Sequence, residues 1–211
     1  MNVFQHPSDL ERAIDALRRD LLTADGAQIS TVKNYNFAIL PYAPDREFWL
    51  RKRIHDLCAE LRDAGWTTGT IALHSVLLAR LRREDGGYIE ELVRREKRAW
   101  RSEDPWRGLT LLKEKIVNVI EGPDGIAADV VAEIERLLEA NPNAQQTVIF
   151  LGRAGALYPF LRTSALLKHL AGHTRNVPVV LLYPGKVAGD SGLSFMGLLP
   201  ADRDYRPRIY R

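Results

Sequence analysis

Residues 147–185 read TVIFLGRAGALYPFLRTSALLKHLAGHTRNVPVVLLYPG, and their pattern decides the fold. Thr147–Leu151 is an unbroken apolar run of strand length, and Val177–Tyr183 is a second. Between them, Tyr158–Ala171 places leucines at helical spacing, with Pro159 in its first turn. Proline is tolerated there because the first amides of a helix have no intrahelical partner. A strand that is apolar at every position must be buried on both faces, which is the mark of a parallel sheet covered by helices. A strand, helix, strand unit of this kind predicts a parallel pair joined by a right-handed crossover.

Working outward, the same grammar continues. Leu10, Ile14, Leu17 and Leu21 form one apolar helical face near the start. Asn36–Leu40 reads as a buried strand with Pro41 and Pro44 in its exit loop. A helix from about Asp45 presents Leu50, Ile54, Leu57, Cys58 and Leu61, and Gly65 stops it. Thr67–His74 reads as the second strand, with Ser75 capping a helix that ends at Gly86 and Gly87. Three more amphipathic segments follow: Tyr88–Arg101, a second starting at Asp104 and Pro105, and a third from Ile126 to Asn141. Leu193–Met196 and Arg208–Tyr210 read as short edge strands.

The expectation is an α/β protein, a single domain over residues 1–211. It has a mostly parallel, Rossmann-like sheet flanked by helices and a helical insertion between the second and third strands. The helical block covers about residues 75–140. Periodicity leaves open whether it covers one face of the sheet or forms a small subdomain.

Composition bounds the function. The chain has 211 residues, 45% hydrophobic and 27% charged, which is ordinary for one globular domain with a sizeable core. A net charge of +3 permits contact with nucleic acid without demanding it. Cys58 is the only cysteine, so no intramolecular disulfide can form and a reducing compartment is expected. The N-terminal stretch lacks the charged and apolar regions of a signal peptide. No apolar run approaches the roughly 20 residues of a membrane helix. The expected location is the cytoplasm, with no membrane contact.

Glycine-rich turns after apolar strands are where phosphate sites are sought. Gly185 and Lys186 follow the Val177–Tyr183 strand. A phosphate loop requires G-x-x-x-x-G-K-[ST], whose backbone amides wrap the phosphates and whose hydroxyl holds magnesium. Here Val180 stands where the first glycine should be and Val187 where the hydroxyl should be. The motif fails, and the glycines at 185, 189 and 192 read as turns. Gly152–Gly155 is only part of a dinucleotide fingerprint. A ligand or phosphate site at the carboxyl ends of the strands would draw on Gly152, Arg153, Gly155, Lys186 and His74. His169 and His173 have metal-compatible spacing but no third ligand, and Cys58 lies on an apolar face as a structural thiol. No catalytic constellation, metal site or cofactor site is assembled. A nucleic-acid patch would draw on Arg94, Arg95, Lys97, Arg98 and Arg101, against a plainer reading of the same residues as a solvated helical face.

Beyond these patterns the chain resembles the BrxB family, a small accessory component of BREX bacteriophage-defence systems. The resemblance lies in TVIFLGRAGALYPFLRTSALLKHL (Thr147–Leu170), PVVLLYPG (Pro178–Gly185), GLSFMGLL (Gly192–Leu199) and DYRPRIY (Asp204–Tyr210). YNFAILPYAP (Tyr35–Pro44) matches more loosely. The resemblance implies a cytoplasmic, non-catalytic scaffolding or recruiting subunit whose partners are a PglZ-like protein and other BREX subunits. It supplies no catalytic residues to transfer. DNA contact would be indirect or weak, and self-association stays open. Of four tryptophans that could anchor an interface (Trp49, Trp66, Trp100 and Trp106), at least two are expected in the core.

Overall fold

A computed structural model describes residues 7–23, 26–30, 36–84, 86–101, 106–122, 124–140, 146–189, 192–202 and 207–211. The elements run α1 (Pro7–Leu21), β1 (Phe37–Tyr42), α2 (Glu47–Asp63), β2 (Thr67–Ala72), α3 (Leu73–Arg83), α4 (Tyr88–Trp100) and α5 (Trp106–Ile120). They continue with α6 (Ile126–Ala140), β3 (Thr147–Gly152), α7 (Thr163–Leu170), β4 (Val179–Ala188), β5 (Gly192–Phe195) and β6 (Arg208–Ile209). The sheet order is β2-β3-β4-β1-β6, and every pairing along that path is parallel. β5 adds antiparallel to the far end of β4.

Side chains alternate between the faces of a strand, and here each face has its own core. Ala38, Leu40, Tyr42, Val148, Phe150, Val180 and Leu182 pack beneath α1 and α2, with Leu17, Leu57 and Trp66. Ile39, Ile71, Ile149, Leu151, Val179, Leu181 and Tyr183 pack on the other face, with Leu77, Ile120, Ile134 and Leu167. The helical block therefore covers one face of the sheet, which answers the question periodicity left open. Every residue of β1 and β3 is buried, while β2 at the edge is half-exposed, as its position demands. At Gly69 of β2 a Cβ would come within 2.9 Å of Leu137 Cδ1, so the missing side chain lets α6 lie close on the sheet.

Several boundaries differ from the sequence expectation. β1 continues through Pro41 to Tyr42. The Ile39 carbonyl accepts from Tyr210 N–H on the β6 side, so Pro41, two residues on, faces that same edge beyond the end of β6. No ladder amide is required of it there. β2 stops at Ala72 and α3 begins at Leu73 without a loop, so His74 lies in the first helical turn and Ser75 is not the cap. The Tyr158–Ala171 helix is also broken. Ala154–Leu157 forms a 3-10 turn, Tyr158 is extended (ψ 135°), and α7 begins only at Thr163. A residue before proline is pushed out of the helical region by the pyrrolidine ring, and Tyr158 obeys that rule. The helix start expected at Asp104 and Pro105 lies outside the described residues.

β4 overturns another boundary. It does not end at Pro184 but runs on to Ala188, with its last residues paired to β5. Gly185 is thus a strand residue and not a turn. A Cβ there would stand 2.3 Å from the Ser194 carbonyl oxygen and 2.5 Å from Tyr183 Cε1, so only glycine admits β5 this closely. Gly192 likewise belongs to β5, whereas Gly189 has a φ of +64° and makes the turn.

Candidate functional site

In an open parallel sheet the carboxyl ends of the strands lie on one edge, and that edge is the first place to look for a ligand. The exit of β1 is organised by Tyr42, whose hydroxyl donates to the Glu47 carboxylate at the start of α2. Burial, then that hydrogen bond, pushes the Tyr42 phenol well above its ordinary value. Arg153, the residue after β3, reaches the same carboxylate at 3.6 Å. It does so from a left-handed backbone (φ 61°, ψ 30°), a conformation unfavourable by roughly 1 kcal/mol for a residue other than glycine. Tyr42, Glu47 and Arg153 therefore tie the exits of β1 and β3 together across β4.

The remaining strand-end candidates turn to different neighbours. Gly152 is the last residue of β3. A Cβ on Gly155 would lie 3.4 Å from Met196 Sδ and 3.6 Å from Pro184 Cγ, so the turn after β5 covers this loop. The Lys186 stem runs beside Gly197, with Cε 3.3 Å from where a Cβ would be. His74 Nε2 is 3.4 Å from Ser75 Oγ, and its Nδ1 is buried without a hydrogen-bond partner among the described residues. His173 Nδ1 lies 3.1 Å from the His169 carbonyl, its ring turned to the backbone. Among the described residues, no group of three His, Cys, Asp or Glu side chains is placed to hold a metal ion. Cys58 is buried among apolar residues, and burial raises its thiol.

A second region lies on the helical block. α4 buries only Leu92 and Ala99, and packs on α5 so closely that a methyl at Gly108 would sit 3.3 Å from Ala99 Cβ. Beside this seam runs a groove of about 600 Å³, lined by Glu91, Arg94, Arg95, Arg98 and Arg107 along with Ala99 and Leu111. Arg95 pairs with Glu91 one turn away and, with its hydrogen bond, holds that carboxyl below the usual range. Lys97 and Arg101 are exposed, and neither lines the groove. Arg107 was not among the sequence candidates. It joins them only because the hairpin folds α5 back on α4, and no local pattern announces that. The tryptophans divide as the sequence implied: Trp66 is buried and Trp49 packs on the core, while Trp100 and Trp106 are 71% and 76% exposed.

Fold and surface together define an open-sheet α/β protein with a helical block set between its second and third strands. Residues 69–209, about two thirds of the chain, match the family described as BREX protein BrxB, and the chain belongs to that family. It is therefore a component of a BREX phage-defence system. The matched span runs from β2 to β6 and so includes the whole helical block. No curated relative and no solved structure matches the chain. No helix among the described residues is long and apolar enough to cross a membrane.

Proposed function

We propose that the chain is a non-catalytic accessory or scaffolding subunit of a BREX complex, working in the cytoplasm and recruiting a PglZ-like partner. The observation that carries this reading is the state of the strand-end edge. Its charged side chains hold the protein's own loops together, yet two large apolar side chains beside it face solvent. Phe48, at the start of α2, is 78% exposed, and Leu198, in the turn after β5, is 71% exposed. Exposed apolar side chains of this size offer anchors to a protein partner, and anchors buried on binding carry most of an interface's energy. Membership of a family described as a BREX protein supports this reading.

Co-purification tests the proposal. Tagged chain co-expressed with the PglZ-like protein of its own system should retain that protein through size exclusion. The Phe48→Ala, Leu198→Ala double variant should weaken the complex at least tenfold, since truncating an interface anchor costs about 2 kcal/mol or more. Failure of the unmodified chain to retain the PglZ-like protein or any other BREX subunit would count decisively against recruitment. Retention unaffected by the double variant would move the interface elsewhere.

A further inference from the structure

We infer that the groove between α4 and α5 binds single-stranded nucleic acid, gripping phosphates with Arg94, Arg98 and Arg107 and stacking bases on Trp100 and Trp106. The charge distribution motivates this. The groove is lined by four arginines and one glutamate, an excess as large as the net charge of +3 carried by the entire chain. Arg95 is neutralised by Glu91. Arg98 and Arg107 have no hydrogen bond or ion pair among the described residues, and Arg94 reaches Glu91 only through its field. Other arginines are paired, as Arg53 is with Glu11, Arg80 and Arg83 with Asp129, Arg153 with Glu47 and Arg208 with Asp20. Those without an ion pair among the described residues, such as Arg19, Arg82 and Arg175, lie apart on separate elements, whereas Arg94, Arg98 and Arg107 share one lining in the groove. Clustered guanidinium groups left uncompensated repel one another, and a polyanion relieves that repulsion.

The chemistry of the groove narrows the ligand. A guanidinium presents a planar fork that fits phosphate oxygens two at a time. Trp100 follows Ala99 and Trp106 precedes Arg107 in the chain. Neither indole lines the groove, and both stand exposed at the loop end of the hairpin, where a strand leaving the groove would meet them. Flat aromatic faces beside a basic track are how proteins hold single strands, whose bases are free to stack. An acidic peptide would answer the charge but leave the indoles unused. A duplex hides its base faces. Both alternatives enter the test.

The measurement is fluorescence anisotropy of a labelled single strand of about 20 nucleotides with the whole chain, across roughly 25–200 mM salt. The expected result is binding whose log K falls with log salt at a slope of about −2, three phosphates at about 0.7 each. Arg94→Gln, Arg98→Gln and Arg107→Gln together should lower affinity at least tenfold and flatten the slope. Trp100→Ala with Trp106→Ala should lower affinity while keeping the slope, because stacking releases no counterions. Arg51→Gln with Lys52→Gln, exposed on α2, should change neither. Circular dichroism checks that each variant is folded. Absence of binding at the lowest salt, affinity indifferent to the arginine variant, or equal competition by duplex or polyglutamate would each overturn the inference. No partner protein is present, so the result stands apart from the recruitment test.

Discussion

Tyr42 and Tyr210 show how much a single buried hydroxyl fixes. Each is almost wholly buried, and each donates to a carboxylate on the helical layer: Tyr42 to Glu47, and Tyr210 to Asp20 at 2.8 Å. Burial first, and then the acceptor, raises both phenols. A folded-state pKa above the unfolded value of about 10 means the stabilisation is complete below that pH. Above it the unfolded chain sheds protons that the folded chain keeps, so stability falls with rising pH. Each tyrosine contributes about 1.4 kcal/mol per pH unit to that fall. Urea unfolding at pH 9, 10 and 11 should show the decline beginning near 10. Tyr42→Phe and Tyr210→Phe should each reduce its steepness while lowering stability at neutral pH by about 1 kcal/mol through the lost hydrogen bond. A curve of unchanged steepness in both variants would show that other groups govern it. The sequence displays these tyrosines but not their acceptors. Glu47 and Asp20 become visible as partners only once β1 and β6 are set against α2 and α1.

At the scale of elements, Arg80 joins three helices. From α3 it donates to the Val119 carbonyl at the end of α5 at 2.6 Å, to the Asp124 carbonyl, and to Asp129 in α6 at 2.9 Å. Its side chain is mostly buried, and Arg83 shares Asp129. Hydrogen bonds involving a charged group are worth roughly 1.5–3 kcal/mol, and a buried carboxylate stripped of its partner costs more. Arg80→Ala should therefore destabilise by about 3 kcal/mol in denaturant unfolding. Arg80→Lys should rescue little, since a point charge cannot serve three acceptors in a fork. In the Arg80→Ala, Asp129→Ala double variant the two losses should fall short of their sum, the sign of direct coupling. Helix faces were legible in this block because the apolar period is local. The break in the helix after β3 was not legible: proline is allowed in a first turn and the leucine period runs on past it, yet the chain is extended at Tyr158, beside Phe195 of β5, and turns helical only at Thr163. The strand reaching through Pro184 and Gly185 was not legible. Both residues read as strand breakers, and only pairing with β5 reverses that sense.

Across the whole molecule, one sheet is shared by two cores. Val148 and Phe150 of β3 face α1 and α2, while Ile149 and Leu151 face the helical block, so neither layer can open without exposing the same strands. Unfolding should be a single transition, coincident by far-UV circular dichroism and tryptophan fluorescence. Leu17→Ala on one face and Ile134→Ala on the other should each cost about 2–5 kcal/mol and keep the two probes together. Separation of the probes in Ile134→Ala alone would mark the helical block as an independent unit.

What the sequence determined by itself follows from short-range rules. Period and composition set strand and helix, fully apolar strands set a parallel buried sheet, and the β3-to-β5 stretch carried the family resemblance. Spacing alone excluded a phosphate loop. What only the tertiary structure decided was which segments meet. β1 lies beside β4 and β6 while β2 takes the far edge; Arg153 closes on Glu47; Arg107 completes a groove begun on α4. Local sequence fixes backbone preference and facing within a segment, because those depend on neighbours a few residues away. Strand order and side-chain encounters depend on how both faces of the sheet bury their apolar surface together, and that is a property of the assembled chain.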